Sequence, residues 1–249
     1  MSEKHVGEEM VLRTIRNVAI FERVPKFEQA SQYYEYMIKQ TLQQLLSYIE
    51  HVELGFKDKI KNGGFIEEKK MSTGERIEHL KLEKVEECWK YEREFPQIAR
   101  YSFVTSIYSY TEEWTLDTCR KAEAILGLSA SSLTYLHSAK KALESSVKID
   151  FSALQQEWQI IDDFNKVRNC IVHSGGNTNN QYYNQSAKKS QELQDAVGRL
   201  SNKGVSIQQD NLYLAEESCA EFIKAATKFF EEIHLQVEQK VKDKNTPKK

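Results

Sequence analysis

Thirty residues from Gln97 to Leu126, QIARYSFVTSIYSYTEEWTLDTCRKAEAIL, pass without a glycine or a proline. An uninterrupted run of that length is far beyond an ordinary strand and spans about 45 Å as an α-helix. Its apolar residues recur at three- and four-residue spacing, the period of a helix with one buried face. The whole chain of 249 residues holds only ten glycines and three prolines. All-β sandwiches need more turn residues than that, so the expectation is an all-α fold. Hydrophobic residues make up 40% and charged residues 29%, enough for a packed core.

Other segments carry the same pattern. Phe27 to Leu54 reads as a long helix bracketed by Pro25 and Gly55. GFKDKIKNGGFIEEKKMSTGE follows and reads as a mobile connection, dividing an N-terminal helical extension (1–70) from a main helical domain (71–243) and a lysine-rich tail (244–249). A second helix is expected from Ser72 or Thr73 to about Glu94, with Pro96 interrupting before the long run that Gly127 closes. A loop and a shorter helix come next, then FSALQQEWQIIDDFNKVRNCIVH, ended by the polar SGGNTNNQYYNQS. Ala187 to Leu200 reads as a short helix. GVSIQQDNLYL reads as a small hairpin turning at Gln208-Gln209-Asp210-Asn211, and a last helix runs from Ala215 to about Val241.

The chemistry concentrates near KVRNCIVHSGG, Lys166 to Gly176. A helix turns about 100° per residue. With Ile161 at zero, Leu154, Trp158 and Val172 fall within roughly 60°, and so do Arg168 and Asn165. Asn169 and His173 lie on the flank as an i, i+4 pair whose side chains can meet. A guanidinium on an apolar stripe requires an anion or an opening to solvent. On the Gln97–Leu126 helix, Glu112 falls in phase with Tyr101, Val104, Tyr108, Leu116 and Cys119, whereas Glu113 points elsewhere. The expectation is a fork-type ion pair between Glu112 and Arg168. Such a pair can serve helix register alone. His173 sits at the helix end, where the dipole favours an imidazolium, and Gly175 or Gly176 suits the stop.

Arg168-Asn169-Cys170-Ile171-Val172-His173 resembles the signature of the HEPN superfamily, an arginine and a histidine separated by four to six residues, with a polar residue after the arginine. The resemblance covers about residues 75–241. It implies an endoribonuclease that needs no metal or cofactor, in which two protomers bring their motifs together across a twofold interface. Arg168 would neutralise the scissile phosphate, and His173 would be general acid or base for attack by the RNA 2′-hydroxyl, leaving a 2′,3′-cyclic phosphate. Asn169 would orient His173 or contact phosphate, and Glu112 would hold Arg168. Tyr182 and Tyr183, with Lys188 and Lys189, stack bases and track phosphates on one reading and are a packed loop edge on the other.

A formal net charge of -2 excludes nucleic-acid binding through bulk positive charge and requires a local patch. The competing class is therefore a non-catalytic helical RNA- or nucleotide-binding module or dimeric scaffold. A toxin restrained by an antitoxin or another regulatory protein, or an anti-phage effector, is the implied setting. Cys88, Cys119, Cys170 and Cys219 form no C-x-x-C and no zinc spacing, so they read as reduced core residues. No apolar leader and no 18-residue apolar stretch is present, which gives a cytoplasmic expectation with no membrane contact.

Overall fold

The computed structural model describes residues 30–62, 86–184 and 186–245. Its elements in chain order are α1 (Ala30–Tyr33), a π-helical turn (Tyr34–Lys39), α2 (Gln40–Asn62), a second π-helical turn (Lys90–Glu94) and α3 (Phe95–Leu126). Then come α4 (Leu136–Ser145), a 3-10 turn (Ser152–Leu154), α5 (Gln155–Ser174), the short α6 (Gln181–Asn184) and α7 (Ala187–Arg199). A 3-10 turn (Ser201–Lys203), β1 (Val205–Gln208), β2 (Asn211–Leu214) and α8 (Glu217–Asn245) complete the described elements. The fold is all-α with one small antiparallel hairpin, as expected.

Two helix boundaries differ from the sequence reading. Gly55 does not stop α2, which continues to Asn62. A helical glycine costs only about 1 kcal/mol relative to alanine, and the turns around it are anchored by buried Glu53 and by the ion pair of Lys57 with Glu216. Pro96 does not interrupt either. It occupies the first turn of α3, where a missing N–H is tolerated, directly after the π-helical turn Lys90–Glu94. Residues 55–62 of the expected connection are thus helical; its remainder (63–75), the start of the second helix, residues 1–29 and the last four of the tail lie outside the described residues.

Helix α5 is the central element, packed against α3, α7 and α8. Phe164 stacks flat on Phe222 of α8 at 4.3 Å between ring centres. Ile161, Phe164, Val167 and Cys170 are fully buried. In the frame with Ile161 at zero these lie at roughly 0°, -60°, -120° and 180°. The buried face is therefore broad and centred well away from the Leu154–Trp158–Val172 stripe, and Val172 is 47% exposed. Arg168 stands near the edge of the buried face, not at its centre.

Helix α2 shares this core through Leu42 and Ile49, with Tyr33, Tyr34 and Ile38 before it. Its Glu53 carboxylate receives both Nε and Nη2 of Arg100 at 2.7 Å, and Arg100 Nη1 donates to the Leu214 carbonyl of β2. Cys119, Cys170 and Cys219 are buried. No described helix is long and apolar enough to cross a membrane.

Candidate functional site

Helix α5 ends on Gly175, which takes a left-handed conformation (φ 63°) and donates to the Ile171 carbonyl. Gly176 follows at φ 87°. A Cβ there would collide with the Tyr101 side chain, whose hydroxyl donates to the Leu212 carbonyl at 2.6 Å. Leu212 in turn donates its N–H to the Gly176 carbonyl at 2.8 Å. The first glycine stops the helix; the second lets the hairpin dock against the stop. The hairpin turns at Gln209 and Asp210, both at positive φ, and the Asp210 carbonyl accepts from the Thr178 N–H. Asn177 and Asn180 accept the N–H groups of Asn179 and Tyr182 in local turns, so these two serve the loop itself.

Arg168 is half-buried. The expected fork pair with Glu112 does not form. The phase of Glu112 was right, since it is half-buried between Tyr108 and Leu116 while Glu113 is exposed. Yet Tyr108, one turn earlier on α3, occupies the intervening space. Its ring lies under the guanidinium, 5.4 Å from ring centre to Cζ, and its hydroxyl donates to Glu112 Oε1 at 3.2 Å. The same oxygen accepts the Leu136 N–H at the start of α4. Glu112 thus ties α3 to α4 and touches Arg168 only through an aromatic ring. Burial and then the Glu112 charge push the Tyr108 hydroxyl up, against the opposing pull of Arg168.

Arg168 Nη1 donates to Asn169 Oδ1 at 2.9 Å, and its Nε is buried without a hydrogen-bond partner. Among the described residues it makes no ion pair. Asn169 also does not meet His173. Its amide donates to Asn165 Oδ1 at 3.3 Å, one turn toward the N-terminus, the direction in which helical side chains lean.

His173 is exposed and stacks on Tyr182 at 4.8 Å and 22°. Lys189 Nζ lies 4.0 Å from the same ring centre. The Tyr182 ring is thus already engaged by both the imidazole and the ammonium. Tyr183 is buried, and burial, with the nearby Cys170 thiol, pushes its hydroxyl up. Neither tyrosine is therefore an open platform for a base, which favours packing over stacking for this pair. Lys188 is 85% exposed and 3.8 Å from Glu192.

The sequence reading missed a second group. With Asp162 as zero, Asn165, Lys166, Asn169 and His173 fall within roughly 60° of it, forming one polar line along α5. Asp162 receives His137 Nε2 of α4 at 3.0 Å and pairs with Lys166. Burial pushes this carboxyl up, but the hydrogen bonds from His137 and Lys166 outweigh it and hold it below its usual range. The available signal was the i, i+4 pair Asp162–Lys166; nothing local announced His137.

The face therefore offers an arginine with no carboxylate partner among the described residues, a stacked and exposed imidazole five residues on, and the Asn169 amide between. It can bind a phosphate and exchange a proton beside it. Comparison of the chain with family models, with curated proteins and with solved structures finds no match in any of the three.

Proposed function

We propose that the chain is an endoribonuclease of the HEPN type, cleaving RNA at the Arg168–His173 face. The observation that carries the reading is Arg168: a half-buried guanidinium with one nitrogen unpartnered and no ion pair among the described residues. Desolvating a permanent cation without an anion is costly, and a phosphodiester is the ligand that relieves the cost. RNA carries its own nucleophile. The 2′-oxygen attacks phosphorus, the bond to the 5′-oxygen breaks, and one proton moves from the 2′-hydroxyl to the leaving oxygen. Arg168 stabilises the charge that develops on the phosphoryl oxygens, and His173 carries out one of the two proton transfers.

The second transfer needs another imidazole. His137 stands beside Asp162, which is eleven residues from His173 and thus roughly 16 Å away along the helix. That is too far to serve the same phosphate. The second His173 comes from another copy of the chain, in a homodimer with twofold symmetry. A toxin held by an antitoxin or other regulator, or an anti-phage effector, is the setting this activity suits.

The alternative, a non-catalytic RNA- or nucleotide-binding module or dimeric scaffold, draws on one observation. His173 makes no hydrogen bond among the described residues that would fix its tautomer. Incubation of the purified protein with total RNA in EDTA, with His173→Ala alongside, separates the two. Cleavage by the wild type alone, leaving 2′,3′-cyclic phosphate ends, is the expected result. No cleavage, or equal cleavage by both, sinks the nuclease reading. A protein that cleaves while strictly monomeric overturns the shared site.

A further inference from the structure

The polar line on α5 does not begin at Asp162. One turn earlier, Trp158 falls at roughly -40° in the same frame, so the line runs from Trp158 through Asp162, Asn165 and Asn169 to His173. At the Trp158 end lies an open-mouthed cavity of about 530 Å³ between α4 and α5, within the size range of small-molecule sites. Its apolar wall is Trp158 and Phe151, and its polar rim is Lys140, Glu144, Gln155, Gln156 and Gln159, with Lys140 paired to Glu144 one turn on at 2.5 Å.

The indole is held as a rigid platform. Phe151 and His137 both meet it edge-on, at 6.2 and 5.5 Å between ring centres and interplanar angles of 83°. Lys140 Nζ lies over both rings, 4.7 Å from the centre of Phe151 and 5.4 Å from that of Trp158. The Gln155 and Gln156 side chains are exposed and make no hydrogen bond among the described residues. Gln159 uses its amide nitrogen on Asp163, which leaves its carbonyl oxygen as an acceptor. An aromatic plane, a cation beside it and amides that both donate and accept around the rim suit a flat heterocycle with a mixed donor–acceptor edge.

We infer that this cavity takes an unpaired base of the RNA strand whose phosphate Arg168 holds, so that α5 reads a single strand at a distance from the cleaved bond. The inference rests on the nuclease reading for the identity of the strand. Trp158 and Arg168 are ten residues apart, roughly 15 Å along the helix, so the base belongs to a nucleotide beyond the two that flank the scissile phosphate. A duplex cannot present such a base, because its edges and faces are already engaged. Gln155, Gln156 and Gln159 set which base fits, and Lys140 exchanges its i, i+4 partner Glu144 for the adjoining phosphate.

Catalysis is not needed for the test. Protein labelled with 15N at tryptophan is titrated with a ten-nucleotide 2′-O-methyl RNA, which cannot be cleaved, with the same strand as a duplex, with each 5′-mononucleotide, and with ribose 5-phosphate. Trp158→Phe assigns the indole signal. Single-stranded oligomer and at least one mononucleotide should shift the Trp158 indole saturably, whereas ribose 5-phosphate and duplex should not. Gln155→Ala with Gln156→Ala, both at exposed positions, should weaken oligomer binding about 10-fold. Loss of base stacking in Trp158→Ala should weaken it ~10- to 100-fold. No shift at Trp158, an equal shift from ribose 5-phosphate, or equal binding of duplex overturns the inference. Failure to cleave ordinary RNA would instead count against the nuclease reading while this titration still reported on the cavity.

Discussion

Arg100 and Arg168 stand on neighbouring helices and both reach inward, yet their surroundings differ in kind. Arg100 is 8% exposed, and each nitrogen of its guanidinium has a partner: two hydrogen bonds go to Glu53 and one to the Leu214 carbonyl. Arg168 has an aromatic ring, one amide oxygen and an unpartnered Nε. The chain builds a two-pronged carboxylate clamp at one arginine, and among the described residues the other has none. A cation kept partly desolvated and unmatched detracts from stability, and such features persist where a ligand completes them. The two regions are also joined. Strand β2 hangs from Arg100 at Leu214 and from the end of the Arg168 helix at Leu212.

The contrast can be broken in several ways. Glu53→Ala should have the largest effect, about 3–5 kcal/mol of stability in urea unfolding, because it leaves the Arg100 charge buried and alone. A loss under 1 kcal/mol would mean that Arg100 is no better satisfied than Arg168.

His234 tests whether an unmatched polar group always signals a ligand. It is 4% exposed with Nδ1 unpartnered, stacked at 5.5 Å on Tyr34, with Nε2 3.4 Å from the Thr118 hydroxyl. Burial lowers its pKa to about 4, with Glu238 opposing. Its folded pKa lies below the unfolded value of about 6.5, so between those pH values the unfolded chain binds more protons. Stability is fully present above pH 6.5 and falls as pH drops toward 4, by about 3 kcal/mol from this group. Urea midpoints of wild type and His234→Leu across that range should differ in slope accordingly. Parallel curves would show that the ring is open to solvent and belongs with Arg168 in kind.

Gly176→Ala probes the joint between the regions. Strain at positive φ and the collision with Tyr101 should cost about 2 kcal/mol and loosen the hairpin. Normal thermal stability in this variant would separate the two regions. The smallest effect is expected at Arg168 itself. Arg168→Leu should change stability by less than about 1 kcal/mol, since no ion pair is lost; a loss like that of Glu53→Ala would make Arg168 a second structural arginine.

Much of this was legible in sequence. Gly127 closes α3 in a left-handed conformation, the hairpin turns on Gln209 and Asp210, and α7 begins at Ala187 with Ser186 accepting the Lys189 N–H. The inward phase of Glu112 was legible too, because phase is a property of one helix. Its partner was not. Which turn of α3 faces which turn of α5 depends on how two helices cross, and Tyr108 takes the place by one turn. The centre of the α5 core face was misjudged for a related reason: a helix packed on three sides has no single apolar stripe. The Glu53–Arg100 clamp left a trace in each helix, Glu53 between Val52 and Leu54 and Arg100 beside the YSFV run, but the two lie 47 residues apart. His137 meets Asp162 only through the packing of α4 on its neighbours.

The central claim is that Arg168 is left unmatched because the phosphate of an RNA strand completes it. The most direct measurement is single-turnover cleavage of a defined single-stranded RNA in EDTA by wild type and Arg168→Ala, with thermal stability recorded on the same samples. The account predicts that Arg168→Ala cleaves ~10²- to 10³-fold more slowly while unfolding at the wild-type temperature. Equal rates from the two proteins, or a slow variant that is also unfolded, would contradict it.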